Sequence, residues 1–165
     1  YDWKGYEDGI KAVKEVIAQG HELQLVVFGE KLEDPQPLFD AAGFEFEYHY
    51  RPAREKLRNI YVSCDIFLCS SWHEGLGLTG MEAMACRCSL VTTNTGGCLE
   101  YAIDGKTALV SEPRDIVGLS RNLIRLLEDE ALLKSLSEDG CRKINEFNWE
   151  ESCDRLICLF NESLT

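Results

Sequence analysis

The residues best suited to chemistry lie in Ser70-Ser71-Trp72-His73-Glu74-Gly75-Leu76-Gly77-Leu78-Thr79-Gly80-Met81-Glu82-Ala83-Met84-Ala85-Cys86, where two carboxylates, Glu74 and Glu82, flank three glycines. Glycine lets backbone amides approach a ligand closely, and a helix starting at Thr79 presents unpaired N–H groups and a positive dipole end. That combination suits an anion such as a phosphate. The same residues also have a self-sufficient reading. Thr79-Gly80-Met81-Glu82 is spaced as a capping box, in which Glu82 reaches back to the cap amide and needs no ligand. Taken alone, the stretch favours the cap. A second loop shifts the balance, because Thr95-Gly96-Gly97-Cys98-Leu99-Glu100 repeats the order of strand, glycine and acid after the next apolar run. Two glycine loops on one edge predict a cleft.

Such loops need strands to carry them. Leu23 to Gly29, Asp65 to Ser70 and Ser89 to Thr93 are short apolar runs of the kind that form buried parallel strands, and Phe44 to Tyr50 and Thr107 to Val110 supply two more. Segments of helical period, Ile10 to Ile17 and Pro52 to Val62, lie between successive runs. The alternation predicts an α/β fold: a Rossmann-like open parallel sheet with helices on both faces, whose ligands bind at the carboxyl ends of the strands. After Pro113 the pattern is helical alone. Ile116, Leu119, Leu123 and Leu126 share one face, Leu132, Leu133 and Leu136 continue it, and Asn148 with Glu151 opens a last helix with the stripe Cys153, Leu156, Ile157, Phe160 and Leu164. The expected organisation is a single domain over 1–165, with an α/β core over 1–112 and helices over 113–165 packed on it.

The 165 residues include 17 Lys and Arg against 29 Asp and Glu, a formal charge of −12, and the cations are scattered. A chain this acidic repels phosphate backbones and anionic lipid, which argues against nucleic-acid binding. The longest apolar runs fall far short of the ~20 residues a membrane helix requires, and Tyr1-Asp2-Trp3-Lys4-Gly5 has no signal-peptide shape, so a soluble cytoplasmic domain is expected. Eight cysteines are present, with no Cys-x-x-Cys, and only Cys86-x-Cys88 is tight, with no histidine beside it. They read as reduced core residues and not as a metal set.

Glu74 to Cys86, followed by Gly96-Gly97-x-x-Glu100 and Asp104-Gly105-x-Thr107-Ala108-Leu109-Val110, resembles the retaining nucleotide-sugar glycosyltransferases of the GT-B type. This is the large group 1 assembly that includes sucrose, mannosyl and bacterial polysaccharide transferases. Lys4-Gly5 is similar to the family's Lys-Gly at its first helix, and Asn148-Trp149 to the aromatic opening its last. The resemblance covers nearly the whole chain and implies the donor-binding half of a GT-B fold, without the acceptor-binding N-terminal domain. It further implies that Glu82 accepts hydrogen bonds from the ribose hydroxyls and that Glu74 contacts the donor hexose. The amides of Gly75, Leu76, Gly77, Leu78 and Thr79 would hold sugar and diphosphate. Lys4 would neutralise the diphosphate, its bland alternative being a solvated surface lysine, and Gly96 and Gly97 would lie near the donor as close-approach backbone.

Two departures stand out. Arg87, Cys88 and Ser89 occupy the place of the family's Gly-x-Pro, and the arginine that joins the lysine on the diphosphate lies upstream of Tyr1. Either the central strand is missing or Tyr1 to Lys4 is its remnant. The implied reaction is hexosyl transfer with retention, from a nucleotide-diphosphate sugar, without cofactor or metal, since no Asp-x-Asp is present. A helix dipole contributes about 0.3 to 2 kcal/mol against the ~8 to 23 kcal/mol an enzyme removes. Lys4, the absent arginine and orientation by the other domain must therefore supply most of the effect, so the fragment is expected to bind donor and turn over poorly. Contact with the inner membrane face would come through the missing domain. A non-catalytic nucleotide-binding module or degenerate transferase subunit is the main alternative. A two-carboxylate glycoside hydrolase is disfavoured, because a helix N-terminus pushes Glu82 towards the ionised form that a general acid must avoid. His73 reads as a solvated loop residue, His21 and His49 as structural, and Tyr50 and Arg51 as an edge where a base could stack.

Overall fold

The computed structural model describes residues 2–30 and 33–163. Five short strands form, all in parallel pairings: β1 (Val26–Gly29), β2 (Glu47–Tyr50), β3 (Ile66–Cys69), β4 (Ser89–Thr93) and β5 (Ala108–Ser111). Each lies within or beside an apolar run of the sequence. Around them run α1 (Tyr6–Ala18), α2 (Gln36–Ala42), α3 (Arg54–Val62), α4 (Leu78–Ala85), α5 (Ile116–Glu128), α6 (Glu130–Ile144) and α7 (Trp149–Ser163). Helix α2 has no counterpart among the expected elements. It opens on proline, and the Gln36 amide donates to the Asp34 carboxylate at 3.0 Å.

Hydrogen bonding divides the strands into a pair, β1–β2, and a trio, β3–β4–β5. Helix α1 spans the junction. Its Ala12, Val13 and Val16 are buried with Val91 and Leu109 of the trio and with Leu119, Leu123 and Leu126 of α5, while Leu25 beside β1 and Leu68 of β3 pack against the same cluster. On the opposite face Met84 of α4 meets Leu90 and Ala108, and Tyr61 of α3 meets Ala83 and Cys88. Phe28 of β1 and Phe67 of β3 stack there with centroids 6.3 Å apart. The sheet layer is thus covered on both faces. Strand β4, paired on both sides, is buried at every residue.

The three terminal helices are each capped by a side chain, the last by Asn148 as its sequence suggests. Asp115 accepts from the Gly118 amide at 2.8 Å, Asp129 from Leu132 at 2.9 Å, and Asn148 from Glu151 at 2.7 Å. Helices α5 and α6 contribute Leu126 and Leu136 to the core. Helix α7 departs from the expectation. Trp149 to Glu162 are all exposed, including Cys153, Leu156, Ile157 and Phe160 of its stripe, while Leu164 lies outside the described residues. The physical reason is that α5 and α6 already cover the core face the stripe would occupy. Tyr1 is likewise outside the described residues, and Asp2–Lys4 form a 3₁₀ turn and not a strand. All eight cysteines are free. No described helix is long and apolar enough to cross a membrane.

Candidate functional site

Strand β3 ends at Cys69, and the chain beyond it is clamped to the start of α1. The Trp72 amide donates to the Trp3 carbonyl at 2.7 Å, and the Ser70 hydroxyl to the Gly5 carbonyl at 2.8 Å. Gly5 is in the left-handed region at φ +61°, and a Cβ there would collide with the Ser70 carbonyl. The Trp72 indole N–H donates to the Asp8 carboxylate at 2.7 Å, while the Arg114 guanidinium lies 4.0 Å over the Trp72 ring. These contacts bring Lys4 to Glu74 across most of the N-terminal half. Lys4 Nζ donates to Glu74 Oε1 at 2.6 Å, and Ser71 donates to the same oxygen at 2.8 Å. Glu74 is largely shielded and Lys4 half-exposed, at 15% and 49% of their side-chain areas, so this pair is screened less than an ordinary surface ion pair.

The second glycine loop lies directly against the first. Glu74 and Gly96 form a parallel bridge, and the Thr93 hydroxyl donates to the Ser71 carbonyl. The glycines serve different ends. A Cβ at Gly97 would strike the Gly75 carbonyl, so Gly97 permits the two loops to touch. A Cβ at Gly75 or at Gly96 would meet nothing within 4 Å, so the backbone there faces open space.

Helix α4 does not start as a capping box. It begins at Leu78, and its N-cap is Gly77, left-handed at φ +80°, with no side-chain cap bond. Thr79 is therefore inside the first turn, and Glu82 lies a full turn in. The Gly80 amide donates to the Gly77 carbonyl at 3.0 Å, but Leu78 and Thr79 precede any helical acceptor and no capping side chain reaches them. Leu76 and Leu78 are exposed beside them. Glu82 is exposed too, and its carboxylate accepts from the buried Tyr61 hydroxyl at 3.4 Å. Burial, then the charge of Glu82, pushes the Tyr61 phenol well above its ordinary range, so it remains a donor.

The structure thus joins Lys4, Glu74, Gly75, Gly96 and Gly97 in one clamp and leads from Gly77 into the amides of Leu78 and Thr79. Glu82 sits on the flank of α4 that faces α3. Sequence reasoning missed Ser71 and Tyr61, which hold the two carboxylates; only their three-dimensional neighbours reveal them. Among the other candidates, His73 is exposed, while His49 pairs with Glu47 at 2.7 Å and His21 with Glu128 at 3.7 Å. Tyr50 is exposed at the end of β2, followed by Arg51 at φ +42°. Among the described residues no three His, Cys, Asp or Glu side chains gather as metal ligands.

A sequence profile of the family described as Glycosyl transferases group 1 matches residues 1–143. The D-inositol 3-phosphate glycosyltransferase of Corynebacterium jeikeium is 30% identical over 96% of this chain and 41% of its own length. The capsular polysaccharide biosynthesis glycosyltransferase CapM of Staphylococcus aureus is 24% identical over 98% of the chain and 43% of its length. The chain therefore spans about two fifths of these relatives. Among solved structures, sucrose-phosphate synthase from Thermosynechococcus elongatus superposes with a TM-score of 0.79 at 24% identity, covering 96% of this chain and 43% of that one.

Proposed function

Because the chain belongs to the glycosyl transferases group 1 family, with the fold of one half of a GT-B enzyme, we propose that it binds a nucleotide-diphosphate sugar and serves hexosyl transfer with retention of configuration. The observation that carries this reading is the bare start of α4. Gly77 turns the chain into the helix without a capping side chain, so the amides of Leu78 and Thr79 are left to an external acceptor beside the Lys4–Glu74 pair. The diphosphate takes those amides, together with the backbone of Gly75 and Leu76. Lys4 then stands between two anions, the diphosphate and Glu74, and sharing the cation frees Glu74 to accept from the donor hexose. Glu82, released from capping, accepts from the ribose hydroxyls, and Gly96 and Gly97 let the backbone approach the donor. As the glycosidic bond breaks, the electron pair moves to the departing phosphate oxygen, which takes the acceptor's proton as the acceptor oxygen bonds the anomeric carbon.

These groups cannot provide all the catalysis. A helix end supplies roughly 0.3 to 2 kcal/mol, whereas orientation of two reactants gives about 7 to 11 kcal/mol. We propose that an acceptor-binding N-terminal domain supplies that orientation and that the 165-residue chain alone binds donor without efficient transfer. A thermal-shift panel with UDP, GDP, ADP and dTDP tests the reading. A ligand at 100 times its Kd stabilises the folded state by about 2.7 kcal/mol, so at least one diphosphate raises the melting temperature by several degrees. No shift with any of the four overturns it.

A further inference from the structure

Tyr101 is 2% exposed and follows the 3₁₀ turn Gly97–Glu100 of the second glycine loop. Its hydroxyl donates to the Gly77 carbonyl at 2.8 Å. That carbonyl is the first acceptor of α4, taking the Gly80 amide at 3.0 Å and the Met81 amide at 3.4 Å. The Gly77 C=O and the Leu78 N–H belong to one rigid peptide plane and point in opposite directions. Whatever fixes the carbonyl inward therefore aims the Leu78 amide outward, towards the space in front of the helix.

The surroundings are shaped around this bond. A Cβ at Gly77 would lie 2.8 Å, and one at Gly80 2.9 Å, from the Tyr101 oxygen, so both glycines make room for the hydroxyl. The rest of the tyrosine is held from behind. Thr107 donates to its carbonyl at 2.6 Å, and the Phe147 ring meets its ring edge-on with centroids 6.5 Å apart. Burial, followed by the neighbouring Cys98, Cys69 and Glu74, pushes the phenol above its ordinary range, so it stays protonated across the neutral range.

We infer that Tyr101 is a positioning residue for the diphosphate: its hydroxyl locks the Gly77–Leu78 peptide so that the first-turn amides of α4 face the ligand. The inference rests on the donor-binding reading above, and its test separates the two. Tyr101→Phe keeps the ring and removes only the hydroxyl. In the 165-residue chain, the affinity for the bound diphosphate, UDP or whichever of GDP, ADP and dTDP the wild type binds, should fall about threefold to tenfold. Affinity for the matching nucleoside, which has no phosphate to read the amides, should stay unchanged. Phe147→Leu, which loosens the packing behind Tyr101 but keeps its hydroxyl, should leave the ratio of the two affinities as in the wild type. Equal loss for nucleoside and diphosphate, or no loss for either, overturns the positioning role.

Hydrogen exchange gives a second readout without ligand. The Gly80 and Met81 amides, which share the Gly77 carbonyl, should lose protection in Tyr101→Phe, and unchanged protection counts against the inference even if the chain binds no nucleotide. Failure of the wild type to bind any of the four diphosphates sinks the functional reading instead. Should Tyr101→Phe not fold, exchange of the wild-type Tyr101 hydroxyl proton decides the matter: slow exchange supports the bond to Gly77, and exchange at the free-solvent rate removes it.

Discussion

Glu82 lies within α4, two residues beyond the position from which a capping glutamate reaches back, and its carboxylate accepts from the Tyr61 hydroxyl at 3.4 Å. A carboxylate so placed contributes little to the helix. Glu82→Gln should accordingly change stability by no more than about 0.5 kcal/mol, the usual range for an exposed substitution. If the ribose hydroxyls donate to it, the same substitution weakens nucleotide binding by about 1 to 3 kcal/mol, the value of a hydrogen bond to a charged group. Denaturant melts of wild type and variant check the first number and calorimetric titration with the bound diphosphate the second, and equal affinities would remove Glu82 from the site. Arg87 presents a different kind of residue-level information. It holds φ +69°, which costs a non-glycine residue roughly 1 to 2 kcal/mol. The glycine usual at this place in the family is thus explained by backbone geometry at the exit of α4. Here the Ser137 hydroxyl, donating to the Arg87 carbonyl at 2.7 Å, helps hold the turn instead.

Helix α7 makes a separate point at the scale of elements, because its amphipathic stripe is real and yet lies on no part of the described fold. From Trp149 to Glu162 every residue is exposed, Ile157 at 56% and Phe160 at 61%. Removing the helix should then cost the core almost nothing. A chain ending at Asn148 is expected to melt within about 2 °C of the full chain, since no core area is lost; a fall of ten degrees in a calorimetric scan would show that the stripe is buried in solution. The contrast with α5 and α6 shows what sequence can and cannot convey. Periodicity identified the helical stripes, and Asn148 the cap of the last helix, because spacing and capping residues are local. Which surface a stripe meets is a tertiary property, and here the face was already filled by Leu119, Leu126 and Leu136. The start of α4 failed for a related reason. Thr79 and Glu82 satisfy the capping-box spacing, but Gly77 can enter the left-handed region at no steric cost and moves the N-cap two residues earlier. The glycine loops and both glutamates were legible; the hydroxyls of Tyr61 and Tyr101 were not, because each arrives from a distant part of the chain, and that of Ser71 was not, because only the turn of its loop brings it onto Glu74.

Across the molecule, burial is distributed in a way the doubly wound pattern does not by itself require. Strand β4 is buried throughout, whereas β1 and β3 are only half-buried at every residue, although α1 covers both and Phe28 and Phe67 stack between them. Each of the two strands pairs on one side only, β1 with β2 and β3 with β4. Their other edges carry backbone donors and acceptors with no ladder partner, which is the position of an edge strand in the middle of a fold. The Trp72 amide bonded to the Trp3 carbonyl and the Ser70 hydroxyl bonded to the Gly5 carbonyl tie the chain beyond β3 to the start of α1, at the carboxyl end where the site begins. A strand entering between β1 and β3 would satisfy both edges and bury the half-exposed residues of β3, which leads into Ser71 and Glu74. Hydrogen exchange on the 165-residue chain should therefore find the amides of β4 slowest, with those of β1 and β3 on the unpaired edges exchanging much faster. An N-terminal extension that supplies the strand should slow the β1 and β3 amides to the β4 rate and raise the melting temperature. It should also tighten nucleotide binding, because the loop carrying Glu74 hangs from β3. Protection of β1 and β3 equal to that of β4 without any extension would mean that the two sheets already close on each other in solution.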